Sequence, residues 1–429
     1  MVDSLIVQGG IPLHGSVCIQ GSKNAALPMM AAAILHKGIT ILKNCPQISD
    51  VYFMTEILKS LGAQISWDGH TLKIDCRSLH SSCIPSIYGM QMRSTTMLLG
   101  SLLGRLHTCE MPYPGGCVIG KRPIDIHIES LQTLNVIIEE KTCMIKAKTS
   151  GLTGCAYRFT RKSVGATENM IMASVFAKGN TYLYGCSIEP EVVWLCRFLT
   201  SMGAHIRGIG TKNLHIQGVQ QLRDTIFEVP SDRIVAGTYL LAGAATRGTV
   251  ILEHAPYSEM EAILQAYVKM GGQYEYISGK LVTDSTKIAK PLPFVETEVY
   301  PGLPTDLQSQ LLAVLSAIPG KSILKENVFE DRFKIVSELN GMGADITAIG
   351  NEVHINGVSA LHGERVYAKE LRGGAALVIA ALSAQGESHI ENYRYIERGY
   401  EDICRDLKHM GAMIQKDKDD TVDGERYEK

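Results

Sequence analysis

No apolar stretch in this chain is long enough to cross a bilayer. The longest, Ala25 to Leu35, has eleven residues and contains Pro28, whereas a spanning helix needs roughly twenty apolar residues. Neither sign of charge is in surplus. Lys and Arg number 42 against 44 Asp and Glu, so neither nucleic acid nor a membrane surface is expected as a partner, and basic residues must act locally. Metal-ligand spacing is missing too: the 11 cysteines include no Cys-x-x-Cys pair and none near a histidine at zinc-finger spacing, and no other metal constellation is visible. An odd number of unpatterned cysteines fits a reducing compartment, and a cytoplasmic location is expected. Met1 to Pro12 lacks the basic and apolar regions of a signal peptide.

The 429 residues, 45% apolar and 20% charged, describe a globular protein too long for one ordinary core, and two domains are expected. Self-similarity gives the organisation. A helix-like segment with a glycine stop, followed by short alternating strands around a polar turn, recurs six times. In the first copy Met54, Ile57, Leu58 and Leu61 keep helical spacing, Gly62-Ala63 ends the helix, and Gln64–Trp67 and Thr71–Asp75 flank an Asp68-Gly69 turn. The corresponding stops are Gly62, Asn135, Gly203, Gly271, Gly343 and Gly411, 68 to 73 residues apart. Asparagine, at the second stop, is the next best residue for a left-handed helix end. Six units of about 70 residues suit three per domain, since each holds enough structure to share a core with two others. Val229-Pro230-Ser231-Asp232-Arg233 is the expected crossover, and residues 416–429 read as a solvated charged tail.

One thiol stands apart from the rest. Cys117 lies in Pro114-Gly115-Gly116-Cys117-Val118-Ile119-Gly120-Lys121-Arg122-Pro123-Ile124-Asp125-Ile126-His127, where glycines and prolines oppose regular structure and Lys121 and Arg122 favour both an anion and a thiolate. A free cysteine is ordinarily a small buried hydrophobe. Here the composition points instead to chemistry on a phosphorylated substrate.

Beyond that loop, Gly21-Ser22-Lys23-Asn24-Ala25-Ala26-Leu27-Pro28, Ser163-Val164-Gly165-Ala166-Thr167, Glu189-Pro190-Glu191, Pro304-Thr305-Asp306, Asn327-Val328-Phe329-Glu330-Asp331-Arg332-Phe333 and Arg398-Gly399-Tyr400-Glu401 complete a set. In order and spacing the set resembles the UDP-N-acetylglucosamine enolpyruvyl transferase family, over residues 1 to about 415. The resemblance implies an α/β (α+β) fold of two lobes, each an inside-out α/β barrel of three β-α-β-α-β-β repeats. One lobe would be residues 22–229, carrying the Cys117 loop. The other would be residues 230–429 completed by residues 1–21, with the active site in a cleft that closes on the sugar nucleotide.

The same resemblance implies transfer of an enolpyruvyl group from phosphoenolpyruvate to the 3-hydroxyl of UDP-N-acetylglucosamine, the first committed step of peptidoglycan precursor synthesis. Both substrates are small molecules, and no cofactor or metal is called for. Cys117 would protonate the methylene carbon and can hold phosphoenolpyruvate as a thioether. Lys23, Arg122 and Arg398 would clamp phosphate and carboxylate, a task suited to guanidinium forks and to a lysine at a helix start capped by Ser22. Asp306 would act as base on the sugar hydroxyl, although an aspartate after proline is by itself more often a cap or turn residue.

Sugar-nucleotide contacts carry over to Asn24, Arg93, Arg122, Pro123, Ile124, Asp125, Ile126, Arg161, Lys162, Ser163, Val164, Gly165, Asp306 and Val328. Glu370 and Arg372 are further substrate-binding candidates. Two departures from the family pattern stand out. Arg161-Lys162 replaces a common Lys-Val, and Glu370 replaces a common aspartate. Glu189, Glu191, Asp232 and Arg233 are candidates for the lobe interface, and His127 for orienting the loop. A reactive Cys117 beside a phosphonate-sized cationic site also implies alkylation by the epoxide fosfomycin. Two alternatives stay open: a 5-enolpyruvylshikimate-3-phosphate synthase-like transferase, whose relatives lack the cysteine loop, and a silent paralogue that only binds the sugar nucleotide.

Overall fold

All six expected helix stops adopt left-handed backbone. The φ angles are 102° at Gly62, 68° at Asn135, 103° at Gly203, 111° at Gly271, 87° at Gly343 and 86° at Gly411, a region that costs any residue with a Cβ. The computed structural model describes residues 4–89, 91–115, 123–141 and 143–417. Cys117, Lys121, Arg122 and residues 418–429 lie outside the described residues.

After each of the first five stops the chain forms an antiparallel hairpin: Gln64–Asp68 with Thr71–Asp75, Ile137–Lys141 with Met144–Lys148, His205–Arg207 with Asn213–Gln217, Gln273–Ile277 with Lys280–Asp284, and Asp345–Ile349 with Glu352–Gly357. The sixth differs. Its strand Met413–Asp417 pairs with Ser4–Gln8 from the other end of the chain, Leu5 standing opposite Lys416 and Ser4 opposite Asp417. The tail expected from residue 416 therefore starts too early. Lys416 and Asp417 are strand residues, because the main chain of Ser4–Gln8 supplies hydrogen bonds that charge composition does not register.

Two compact units result. One holds residues up to Ile19 together with those from Asp232 onward, and the other holds the described residues from Gln20 to Ser231. In the first, three four-stranded sheets each contain one parallel pair and two antiparallel pairs. His14–Cys18 lies parallel to Thr249–Glu253, which continues into the Lys280–Asp284 and Gln273–Ile277 hairpin. The other unit repeats this plan with a strand borrowed from its own far end, Thr225–Glu228 lying parallel to Ile39–Lys43. Its sheet of Thr108–Pro112, Met144–Lys148 and Ile137–Lys141 has three strands, and a single parallel bridge from Cys83 to Glu110 stands where the others have a fourth.

Within each unit helices form the inside. Arg233–Thr246, Gln308–Ser316 and Leu371–Ser383 pack on one another, and all nine residues of the second are buried. These helices are apolar or small almost all round, the pattern of a buried helix. Burying a leucine such as Leu311 or Leu315 stabilises by about 1.5–3 kcal/mol relative to leaving it exposed. Lys23–Ala33, Leu98–Leu106 and Val164–Ser174 play the same part in the other unit. Strands alternate around them: in Thr249–Glu253 the buried Val250 and Leu252 face the helices while Thr249 faces solvent. The N-termini of these inner helices carry most of the candidate site residues.

Candidate active site

Asp306 leads into the Gln308–Ser316 helix from a short turn, Thr305–Leu307, that follows Pro304. Two arginines hold its carboxylate. Arg332 donates through Nη2 to Oδ1 at 2.7 Å and Arg372 through Nη2 to Oδ2 at 2.8 Å. The arginine side chains are 3% and 4% exposed, and that of Asp306 is 24% exposed, so the carboxylate is the part solvent reaches. Such charge-assisted bonds are stronger than neutral ones. Burial works against the charge of Arg372, but Asp306 foremost, with Tyr400 and Asp232, outweighs it and raises the guanidinium's pKa. Among the described residues, Arg332 Nε and Arg372 Nη1 are buried without a hydrogen-bond partner.

Neighbouring groups fix this cluster. Glu326, buried, accepts Thr305 Oγ1 at 2.8 Å and the main-chain N–H groups of Val328 at 2.7 Å and Phe329 at 3.1 Å. It thereby ties the turn before Asp306 to the loop before Arg332. Arg332 also lies over the Phe329 ring at 5.2 Å, while Val328 is exposed beside it. Glu370 is the N-cap of the Leu371–Ser383 helix and accepts from the N–H groups of Arg372 and Gly373. Its Oε2 lies 3.9 Å from Arg332 Nη1. The extra methylene that separates glutamate from the family's aspartate still permits capping here. Arg398 ends the Tyr393–Arg398 turn, half-buried.

In the other unit a second group of candidates comes together at the Val164–Ser174 helix. Ser163 caps it, accepting from Ala166 N at 3.3 Å. Arg161 donates to Asp125 at 2.5 Å, and that bond, ahead of the nearby amides, holds the Asp125 carboxyl below its usual value. Lys162 donates to the Gly185 and Cys186 carbonyls at 3.0 and 2.9 Å. A Cβ at Gly165 would come 3.0 Å from the His127 ring, so a larger residue there would press the ring aside. Asn169 fixes that ring, its Nδ2 standing 2.8 Å from His127 Nδ1. Arg93 reaches the Pro123 carbonyl at 3.2 Å. Candidates from three separate stretches thus border one helix N-terminus, where main-chain N–H groups favour anions.

Two expectations are refined. The irregular stretch expected through His127 ends sooner, because Asp125–Gln132 is helical with Asp125 in its first turn. Lys23 is the first residue of its helix, behind the Ser22 cap, and it pairs with Asp50 at 2.6 Å. Half-buried Asn24 follows it. Neither Asp50 nor Arg332 was singled out from sequence. Arg332 had one signal, an arginine placed between Phe329 and Phe333, whereas Asp50 had none. Asp232 caps the Arg233–Thr246 helix through Ile234 N and Val235 N.

The model of the family described as EPSP synthase (3-phosphoshikimate 1-carboxyvinyltransferase) matches residues 7–422. Among curated proteins, UDP-N-acetylglucosamine 1-carboxyvinyltransferase 2 of Caldanaerobacter subterraneus subsp. tengcongensis is 41% identical over 408 residues, 95% of this chain and 98% of that protein. UDP-N-acetylglucosamine 1-carboxyvinyltransferase 1 of Legionella pneumophila is 41% identical over 413 residues, 95% of this chain and 82% of that protein. Among solved structures the enolpyruvyl transferase NikO from Streptomyces tendae superposes with a TM-score of 0.85 at 22% identity, covering 97% of this chain and 99% of that one. EPSP synthase from Acinetobacter baumannii follows at 0.74 and 17% identity, covering 97% and 100%. At those identities the two structures speak to the fold alone.

Proposed function

Because the chain belongs to the EPSP synthase family, the enolpyruvyl transferases, we propose that it transfers the enolpyruvyl group of phosphoenolpyruvate to the 3-hydroxyl of UDP-N-acetylglucosamine, releasing phosphate. This is the committing step of peptidoglycan precursor synthesis. The acceptor follows from the full-length relatives at 41% identity, which carry that activity in their names. The single structural observation that carries the chemistry is Asp306 held between Arg332 and Arg372, with its carboxylate the part of the cluster that solvent reaches.

The reaction joins the sugar oxygen to the central carbon of phosphoenolpyruvate while the methylene carbon gains a proton. It then breaks the carbon–oxygen bond to phosphate while the resulting methyl group loses a proton, restoring the methylene. Asp306, held between two guanidinium groups, accepts the proton of the sugar hydroxyl. Lys23, Arg122 and Arg398 take the phosphate and carboxylate oxygens of phosphoenolpyruvate, with Arg372 a further binding candidate. Cys117 delivers the proton to carbon. The N-terminus of the Val164–Ser174 helix, with Arg161 and Lys162, takes the nucleotide diphosphate, the 122–126 segment runs along the uridine and diphosphate, Arg93 lines the pocket, Asn24 serves the reacting hydroxyl and Val328 the acetamido sugar. Both substrates are small molecules met in the cytoplasm, and no helix among the described residues is long and apolar enough to cross a membrane.

Mass spectrometry of the products tests the reading. UDP-N-acetylglucosamine incubated with the protein and phosphoenolpyruvate gains one enolpyruvyl group. An unchanged sugar nucleotide, with both substrates and folded protein present, contradicts it.

A further inference from the structure

A buried polar relay links the segment bearing Arg398 to the helix that follows Asp306. Tyr400, fully buried, shares a 2.7 Å hydrogen bond between its hydroxyl and Thr238 Oγ1. Thr238 Oγ1 also receives Gln310 Nε2 at 3.2 Å and is anchored to the Ile234 carbonyl at 2.8 Å. Gln310 stands four residues after Asp306, in the Gln308–Ser316 helix. Tyr400 stands two residues after Arg398. Between them, Gly399 lies against Arg372, where an added Cβ would meet Leu371 Cδ2 at 2.8 Å and Arg372 Nη1 at 3.5 Å. Arg372 and Asp232 are the charged neighbours of the Tyr400 ring end.

Packing alone does not require this hydroxyl. Phenylalanine would fill the same volume beside Tyr239, whose ring lies 6.4 Å away, and a buried hydroxyl has to recover its lost hydration through hydrogen bonds. We propose that Tyr400 is a positioning residue: through Thr238 and Gln310 its hydroxyl sets the Arg398-Gly399 backbone at a fixed distance from the Asp306 and Arg372 ion pair, so that the cations meet phosphoenolpyruvate in register. The proposal rests on the transferase reading above. It places Tyr400 in contact with neither substrate.

Tyr400→Phe tests it, with kcat and KM measured for each substrate alongside thermal unfolding. The expected result is a fall in kcat/KM for phosphoenolpyruvate of about tenfold, the scale of one hydrogen bond, with KM for UDP-N-acetylglucosamine unchanged. Thr238→Val reproduces the loss, Thr238→Ser restores activity by keeping the hydroxyl, and the Tyr400→Phe/Thr238→Val pair is no worse than either alone. An unaltered kcat/KM in Tyr400→Phe overturns the proposal. So does an equal loss for both substrates that tracks a lowered melting temperature. Should the unmodified protein transfer nothing, the transferase reading fails first, and that result is distinct from these.

Discussion

Arg332 shows what a single residue does that its sequence position conceals. Four residues after Val328, it reads as one more charge in a polar loop, and only the fold brings it 2.7 Å from Asp306. Cys117 is the reverse case, since its loop composition alone raises the expectation of a reactive thiol. One fosfomycin adduct on the native protein and none on Cys117→Ala, by intact mass, is the expected outcome, and an adduct on the alanine variant contradicts it. Glu168 carries a different prediction. It is wholly buried and, among the described residues, neither carboxylate oxygen is hydrogen-bonded; burial first, then Glu191 and Glu189, raises its pKa well above the usual value. The folded state therefore holds a proton that the unfolded chain releases above about pH 4.3, so stability falls as pH rises from there towards the raised folded value. Glu168→Gln removes that slope. Its melting temperature should gain on that of the parent as pH increases through this window, and a constant difference between the two would refute the assignment.

Elements were legible where local chemistry decides them. The six helix stops and the hairpins after five of them follow from glycine or asparagine punctuation and strand alternation, and each stop has the left-handed φ that the residue choice implies. Less legible was the function of caps, because a carboxylate at a helix start reads the same whether it binds substrate or main chain. Glu370, a substrate-binding candidate from family resemblance, directs its oxygens to the N–H groups of Arg372 and Gly373. Its contribution is then measurable as stability. Glu370→Ala should cost about 0.5–2 kcal/mol in urea unfolding, the usual range for an N-cap, and it should also loosen Arg372, which shares that first turn. A variant as stable as the parent would show that the cap is dispensable.

At the scale of the whole molecule the chain closes on itself, and this was the least local feature. Ser4–Gln8 pairs with Glu387–Glu391 on one side and with Met413–Asp417 on the other, a partnership across nearly four hundred residues that no window of sequence reveals. Removing residues 1–8 strips both strands of a neighbour and leaves two unpaired edges. A lower urea midpoint and a greater tendency to aggregate are expected, and an unchanged midpoint would contradict the topology. The Asp306 cluster is likewise non-local: Asp306, Arg332 and Arg372 are 26 to 66 residues apart and come from the Thr305–Leu307 turn, the loop before the Val336–Gly341 helix and the first turn of the Leu371–Ser383 helix. The central claim is the acceptor. Phosphate release from phosphoenolpyruvate, measured in parallel with UDP-N-acetylglucosamine and with shikimate 3-phosphate, should proceed with the sugar nucleotide only. Release with shikimate 3-phosphate alone, or with neither in a folded sample that binds the sugar nucleotide, would contradict it.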